Sequence, residues 1–418
     1  MKTLPAAVAA MCACLAFSGF PAAAMENAPM LKLDAAGGRL FFHDYGGEND
    51  TTTGSADWLM ADGLKFSDHD ALLPSLNGRY SRSSQVNQIG GGGTLVTQSL
   101  DDTAGLRWIR SFGAWALKPN ASYKSELATI DSQEDLGAGL FDFGQESAGA
   151  ELEWTGQGAL KSVRQDFSVS NTDYYHYQPG RSPLFGAELL SNGRDLNFIS
   201  YGYTATADLA PWAGGLLSAS LGGSYLDYGD QKVVEGDTGA KTFTITSRAR
   251  QDWMGNFVAS ITQKLPDDPG GLPVTGSATL SLGFTALRSN QNDVDKYQSD
   301  SSVFKFNPDY YSYDEFSAGP LVSLVVAGKL RMSFSYNFAR RDYLSRPVQN
   351  GAGNYLGGNV YTDTHTLAYS ASYPVWPSGL SAQISGGYVA SSSNMAFENF
   401  YLYNYSYPYA FAGLSYAL

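Results

Sequence analysis

The chain has 418 residues, a formal net charge of -13, and 46 Gly, 27 Tyr and 22 Phe against only 4 His. Charged residues make up 16% of it, where about 25% is usual for a soluble domain, so glycine and aromatics with few helix-favouring runs point to an all-β chain. The acidic balance argues against a nucleic-acid binder, which needs Lys and Arg to neutralise phosphate.

In chain order, Lys2 precedes a small apolar run from Ala6 to Phe20, closed by Pro21-Ala22-Ala23-Ala24. A basic start, a short apolar core and an Ala-x-Ala end read as a secretory signal peptide cleaved after Ala24. Cys12 and Cys14 both fall inside it, so the exported chain is expected to carry no disulfide, cysteine metal site or catalytic cysteine. Beyond Met25 no stretch approaches the roughly 18 consecutive apolar residues of a spanning helix.

What recurs instead is a period of two. Gly38 to Tyr45 and Asp57 to Phe66 are the first candidate strands, and Thr103 to Phe112 alternates poorly. From Ser200 to Leu209, Tyr201, Tyr203, Ala205, Ala207 and Leu209 share one face, with Ser200, Gly202, Thr204, Thr206 and Asp208 on the other. Leu217, Ala219, Leu221 and Tyr225 oppose Ser218, Ser220 and Ser224; Leu280, Leu282 and Phe284 oppose Thr279 and Ser281. In Lys329 to Tyr343, Leu330, Met332, Phe334, Tyr336 and Phe338 alternate with Arg331, Ser333, Asn337 and Arg341. The chain closes with Asn404 to Leu418, in which Ala412, Leu414, Tyr416 and Leu418 keep the alternation.

The connections alternate in length. Short ones built from Gly, Pro and Asp lie at Ser67–Asp70, Trp154–Gly158, Pro211–Gly215, Pro266–Gly271, Ala327–Gly328 and Pro377–Gly379. Between them run long polar or Tyr-rich stretches near 83–100, 131–143, 174–194, 229–241, 290–310, 344–360 and 392–403. Counting back from the last strand predicts about 16 strands, with 14 as the fallback if the N-terminal stretch is a plug or tether.

These residues carry a resemblance. With its leader, its alternation, its turn asymmetry and the ending YAFAGLSYAL, the chain resembles a Gram-negative outer-membrane β-barrel of porin type. The resemblance spans the whole exported chain. It departs from the common pattern in ending on Leu418 rather than an aromatic residue. It implies a transmembrane antiparallel up-and-down barrel with short periplasmic turns and long extracellular loops. The division expected is a signal peptide over 1–24, a periplasmic segment over 25–36 and the barrel over 37–418. It also implies outer-membrane lipid and lipopolysaccharide as surroundings, recognition of the last strand by the barrel-assembly machinery, and a homotrimer as one form of assembly. In lipid every backbone group needs an internal partner, so a strand-built protein must close on itself.

If the polar face lines a lumen, alternation places the cations Arg79, Lys124, Arg164, Arg248, Arg250, Lys329, Arg331 and Arg341 inside. Glu126, Glu151, Glu153, Asp166, Asp208 and Asp252 are the matching anions. A barrel of about 16 strands is wide enough for water, and opposite charges across a constriction would order passing solutes. The plainer reading is that they pair with one another and hydrate the wall.

Tyr174-Tyr175-His176-Tyr177, Tyr310-Tyr311-Ser312-Tyr313 and Tyr401 to Tyr407 lie near predicted loop ends. An interfacial girdle is the expectation; an aromatic slide for sugars is the sharper alternative. Arg340 falls on the lipid-facing parity, where lipopolysaccharide phosphates or water could meet it. Gly90–Gly93 lacks the Lys of a phosphate loop. Asn290, Asn292, Asp293, Asp295 and Asp300 lack the Gly and Glu of a calcium loop.

His365 between Thr364 and Thr366 is the most testable catalytic candidate, and no acid has suggestive spacing to it. No enzyme, cofactor or metal is therefore expected. The sequence reading is a passive channel for small hydrophilic solutes. The alternatives are a plugged, binding or assembly barrel with Tyr-rich loops on a partner, or a channel that prefers saccharides.

Overall fold

The computed structural model describes residues 26–44, 47–87, 93–129, 136–139, 141–176, 196–237, 242–266, 273–296, 304–377, 379–397 and 403–418. The expected leader, Gly90 to Gly92, Tyr177, Asp300 and Tyr401 lie outside them.

Sixteen strands close into one antiparallel barrel, each beside its neighbour in sequence. They are β1 (Glu26–Asp44), β2 (Gly47–Lys65), β3 (Asp70–Asn87), β4 (Gly93–Phe112), β5 (Trp115–Thr129), β6 (Phe143–Thr155), β7 (Leu160–Tyr174) and β8 (Phe198–Leu209). β9 (Gly215–Asp237), β10 (Thr242–Lys264) and β11 (Val274–Ser289) continue the wall. β12 (Asp293–Lys296) and β13 (Phe304–Asn307) form a separate small hairpin. The wall resumes with β14 (Tyr313–Val326), β15 (Leu330–Gln349), β16 (Tyr355–Pro374), β17 (Leu380–Ser393) and β18 (Tyr405–Ala417). Both the strand number and the antiparallel up-and-down order agree with the sequence expectation.

Closure corrects one boundary. β1 begins at Glu26, so residues 26–36 are not a periplasmic segment but part of the wall. They pair with β2 from Glu26↔Lys65 and with β18 from Lys32↔Ala417. Residues 29–38 were hard to recognise because small residues (Ala35, Ala36, Gly37, Gly38) blur the contrast between faces. The loop stretches also shorten: β3 and β4 pair out to Asn87↔Gly93, and β9 and β10 out to Asp237↔Thr242.

The two faces meet different surroundings. Leu280, Leu282 and Phe284 of β11 point outward with 48%, 46% and 46% of their surface exposed, which is the reverse of a soluble core and the form of a membrane-spanning barrel. The alternate positions of β11, such as Thr279 and Ser281, point inward. Where buried apolar residues do gather is the long-loop end, where Val348, Val360, Met395 and Tyr403 pack with Tyr343 and Phe397.

Turn chemistry sets the short ends. Ala327 and Gly328 both have positive φ, 50° and 67°, and Lys329 N donates to Val326 O, the backbone twist that suits a two-residue hairpin. Ser67 Oγ accepts from the amides of His69 and Asp70. Phe66, Phe112, Trp115, Trp212 and Trp376 stand exposed around this end, an aromatic girdle. On the outward face towards the long loops, Tyr225 packs 6.3 Å from Tyr201 and 4.4 Å from Trp253.

Candidate functional site

Residues paired across a ladder share a face, so the register assigns the inward set. From β1 to β8 it contains Lys32, Asp34, Asp57, Arg79, Asp101, Arg107, Lys118, Lys124, Glu126, Glu151, Glu153, Arg164, Asp166 and Asp208. From β9 to β18 it is mostly Ser, Thr, Gly and Asn, with charges at Arg250, Asp252, Lys264, Glu315, Arg331 and Arg341. One half of the wall is charged and the other is hydroxyl-lined.

The charges are joined along the wall. Lys118 Nζ donates to Glu151 and Glu153 at 2.7 and 2.5 Å, one cation between two carboxylates of the next strand. Lys124 donates to Glu126 at 2.7 Å, and Arg79 lies 3.4 Å from Asp57. Asp208 accepts from Arg164, Ser162 and Ser218. Arg341 donates to Glu315 at 2.8 Å. Arg250 is held by Asp252 at 2.6 Å and by Gln231, with Tyr228 and Tyr311 against its guanidinium. Such neighbour pairs keep a polar wall hydrated and close to neutral, and weaken any field directed across the bore.

Two expected wall residues lie elsewhere. Lys329 occupies the last position of the short β14–β15 turn, at the mouth. Arg248 stands beyond the irregularity between Ile245 and Arg250 in β10, which breaks strict alternation. Its side chain is exposed and lies 3.6 Å from Glu235. The other predicted wall residues, Arg79, Lys124, Glu126, Glu151, Glu153, Arg164, Asp166, Asp208, Arg250, Asp252, Arg331 and Arg341, fall on the inward register.

Sequence reasoning missed Lys118, whose strand is interrupted by Pro119, and Asp101, whose neighbour Asp102 hides the alternation. A second miss concerns tyrosines. Tyr405, Tyr407, Tyr409 and Phe411 pair with Ser391, Val389, Gly387 and Ser385, so they face inward. They are therefore not part of an outer girdle. Their rings follow one another at 6.1, 6.3 and 5.7 Å, the first pair within 10° of parallel. A Cβ on Gly387 would meet the Tyr409 ring and one on Gly38 would meet Phe411, so both rings lean over glycines of the adjoining strands. The signal was present in the sequence, because Ala410, Ala412 and Leu414 already claim the even parity for the outward face.

On the outer surface, Arg340 is engaged by Asp342 at 3.2 Å, Asp363 at 3.6 Å and the Tyr361 ring. His365 faces outward with Nδ1 2.7 Å from the Tyr336 hydroxyl. Asn292 holds the β11–β12 connection, donating to Val234 O and accepting from the Asp309 amide.

No protein-family model matches the chain, and no curated protein matches it in sequence. Among solved structures it is similar to OpdQ of Pseudomonas aeruginosa, with 9% identity over 94% of this chain and 97% of the other, at a TM-score of 0.46. It is similar to OprB of Pseudomonas putida, with 9% identity over 93% and 92% of the two chains, at 0.45. It is also similar to OccAB3 of Acinetobacter baumannii, with 8% identity over 93% and 99%, at 0.45.

Proposed function

We propose that the protein is an outer-membrane channel through which small hydrophilic solutes diffuse passively. The observation that carries this reading is the division of the closed wall. Apolar side chains stand exposed on the outside, while hydroxyls and neighbour-paired charges line the inside. No chemical step is assigned to any residue. The wall charges Arg79, Lys124, Glu126, Glu151, Glu153, Arg164, Asp166, Arg250, Asp252, Arg331 and Arg341 set the local field and hold water. With cations and acids joined as neighbours, discrimination between small anions and cations is weak.

In this reading the short turns lie in the periplasm and the long loops outside, after export by a cleaved leader. β18, the last strand, is what the assembly machinery would recognise. Lipid and lipopolysaccharide surround the wall, although Arg340 already has two carboxylates near it. Assembly as a homotrimer belongs to the same proposal. A saccharide preference is favoured by the inward row Tyr405, Tyr407, Tyr409 and Phe411, because aromatic faces in water pair with the apolar faces of sugar rings. Purified protein added to a planar bilayer is expected to give stepwise ionic conductance with little ion selectivity. A bilayer that stays silent while the barrel is folded overturns the channel.

A further inference from the structure

Beyond the irregularity of β15 between Asp342 and Pro347, Arg346 is folded into the long-loop end with only 8% of its surface exposed. Its guanidinium lies 4.2 Å from the Tyr310 ring and 4.0 Å from the Tyr343 ring, and Nη1 donates to the Tyr403 hydroxyl at 3.1 Å. Among the described residues Nε has no acceptor, and no carboxylate lies within ion-pair distance. Burying a cation is costly unless an anion or several hydrogen bonds compensate it.

Two neighbouring arginines show what compensation looks like in this wall. Arg250 sits in the same kind of two-tyrosine clamp yet holds Asp252, and Arg341 holds Glu315. Among the described residues, the carboxylate that completes those sites has no counterpart at Arg346. Tyr310 cannot supply the charge, because burial raises its phenol well above the ordinary tyrosine range.

Arg346 borders an inward-facing cavity of about 420 Å³, together with the Arg341–Glu315 pair, Thr362, Thr364, Ser391 and Tyr405. That volume lies within the range of about 300–1,000 Å³ usual for small-molecule pockets. The lining offers the Arg346 cation beside an Arg341 and Glu315 already joined to each other, several hydroxyls that donate and accept, and the rings of Tyr343, Tyr403 and Tyr405. Tyr405 is also the first ring of the row that continues through Tyr407 and Tyr409 to Phe411.

We propose that this cavity is a binding site for acidic saccharides, with the solute's carboxylate on Arg346, its hydroxyls on Thr362, Thr364 and Ser391, and its ring face on Tyr405. The aromatic row then receives the ring as it moves down the bore. Facing inward, the site is out of reach of saccharides anchored in the surrounding lipid, so the ligand is a free solute. The proposal deepens the channel reading and rests on it for the solute's onward path.

The test uses galacturonate, galactose and acetate on the folded, purified protein in a planar bilayer. Galacturonate is expected to reduce the open-channel current at a concentration about tenfold lower than either of the others. Arg346→Gln is expected to bring galacturonate to the level of galactose. Tyr405→Leu is expected to weaken both sugars and leave acetate unchanged. Acetate equal to galacturonate, or an acid preference that survives Arg346→Gln, overturns the site. If Arg346→Gln does not fold, Tyr405→Leu decides: galacturonate retained at the wild-type level overturns the proposal. A silent bilayer would count against the channel alone, and calorimetric titration of galacturonate into the same protein then decides the site, absence of binding heat overturning it.

Discussion

Asp252 has 3% of its surface exposed and bonds Arg250 through both carboxylate oxygens, beside Tyr228 and Tyr311. A pair so enclosed matters less for its net attraction than for what is left when one member goes. Asp252→Asn leaves the guanidinium buried without its anion and is expected to cost about 3–5 kcal/mol, read as a lower urea midpoint for barrel unfolding. Replacing both residues by a matched apolar pair is expected to cost much less. The residue scale is also where the sequence was least informative. Alternation placed Arg250 and Asp252 on the same face because they are two apart, but said nothing of Gln231 or Tyr311, which come from other parts of the chain. Arg248 shows the opposite failure: two more residues of strict alternation would carry it inward, and an irregularity turns it out.

At the scale of elements, the seam between β1 and β18 joins the two ends of the chain and fixes the barrel's circumference. Gly38 is central to it. A Cβ there would overlap the Ala410 carbonyl and the Phe411 ring, so the strands can approach only because that position carries no side chain. Overpacking of a closed site costs about 1–3 kcal/mol. Gly38→Leu is therefore expected to lower the folding equilibrium constant about tenfold or more, seen as loss of the compact, heat-modifiable band on electrophoresis at a lower urea concentration. The equivalent change at Gly255, where a Cβ meets nothing, is expected to be tolerated. Strand existence was legible wherever large apolar and hydroxyl residues alternate, as in Leu280 to Phe284. It was poorly legible in β1 and β4, where Ala35 to Gly38 and Asp101-Asp102 give the two faces similar chemistry.

For the whole molecule, the wall divides into a charged half from β1 to β8 and a hydroxyl and aromatic half from β9 to β18. Lys118 balances Glu151 and Glu153 at the centre of the charged half. Lys118→Gln exposes both carboxylates to the bore without opening it. The reversal potential in a salt gradient is expected to shift towards cations, by about twofold or more in permeability ratio, and to shift less as ionic strength rises and screening shortens. An unchanged reversal potential would show that this part of the wall does not meet the ion path.

The sequence by itself determined the two-faced strands, the alternation of short and long connections and, through them, a count of about sixteen strands with fourteen as the fallback. Period-two patterning and turn chemistry are local, and each is written within a few consecutive residues. Only the tertiary structure decided that β1 starts at Glu26 and that the wall charges are joined to their neighbours. It also decided that the tyrosines of β18 face the interior and that Arg346 is buried between two tyrosines, with no carboxylate among the described residues at ion-pair distance. Each of these depends on the register between strands far apart in the chain and on which backbone a ring can lean over. Those relations come into being only when the sheet closes on itself.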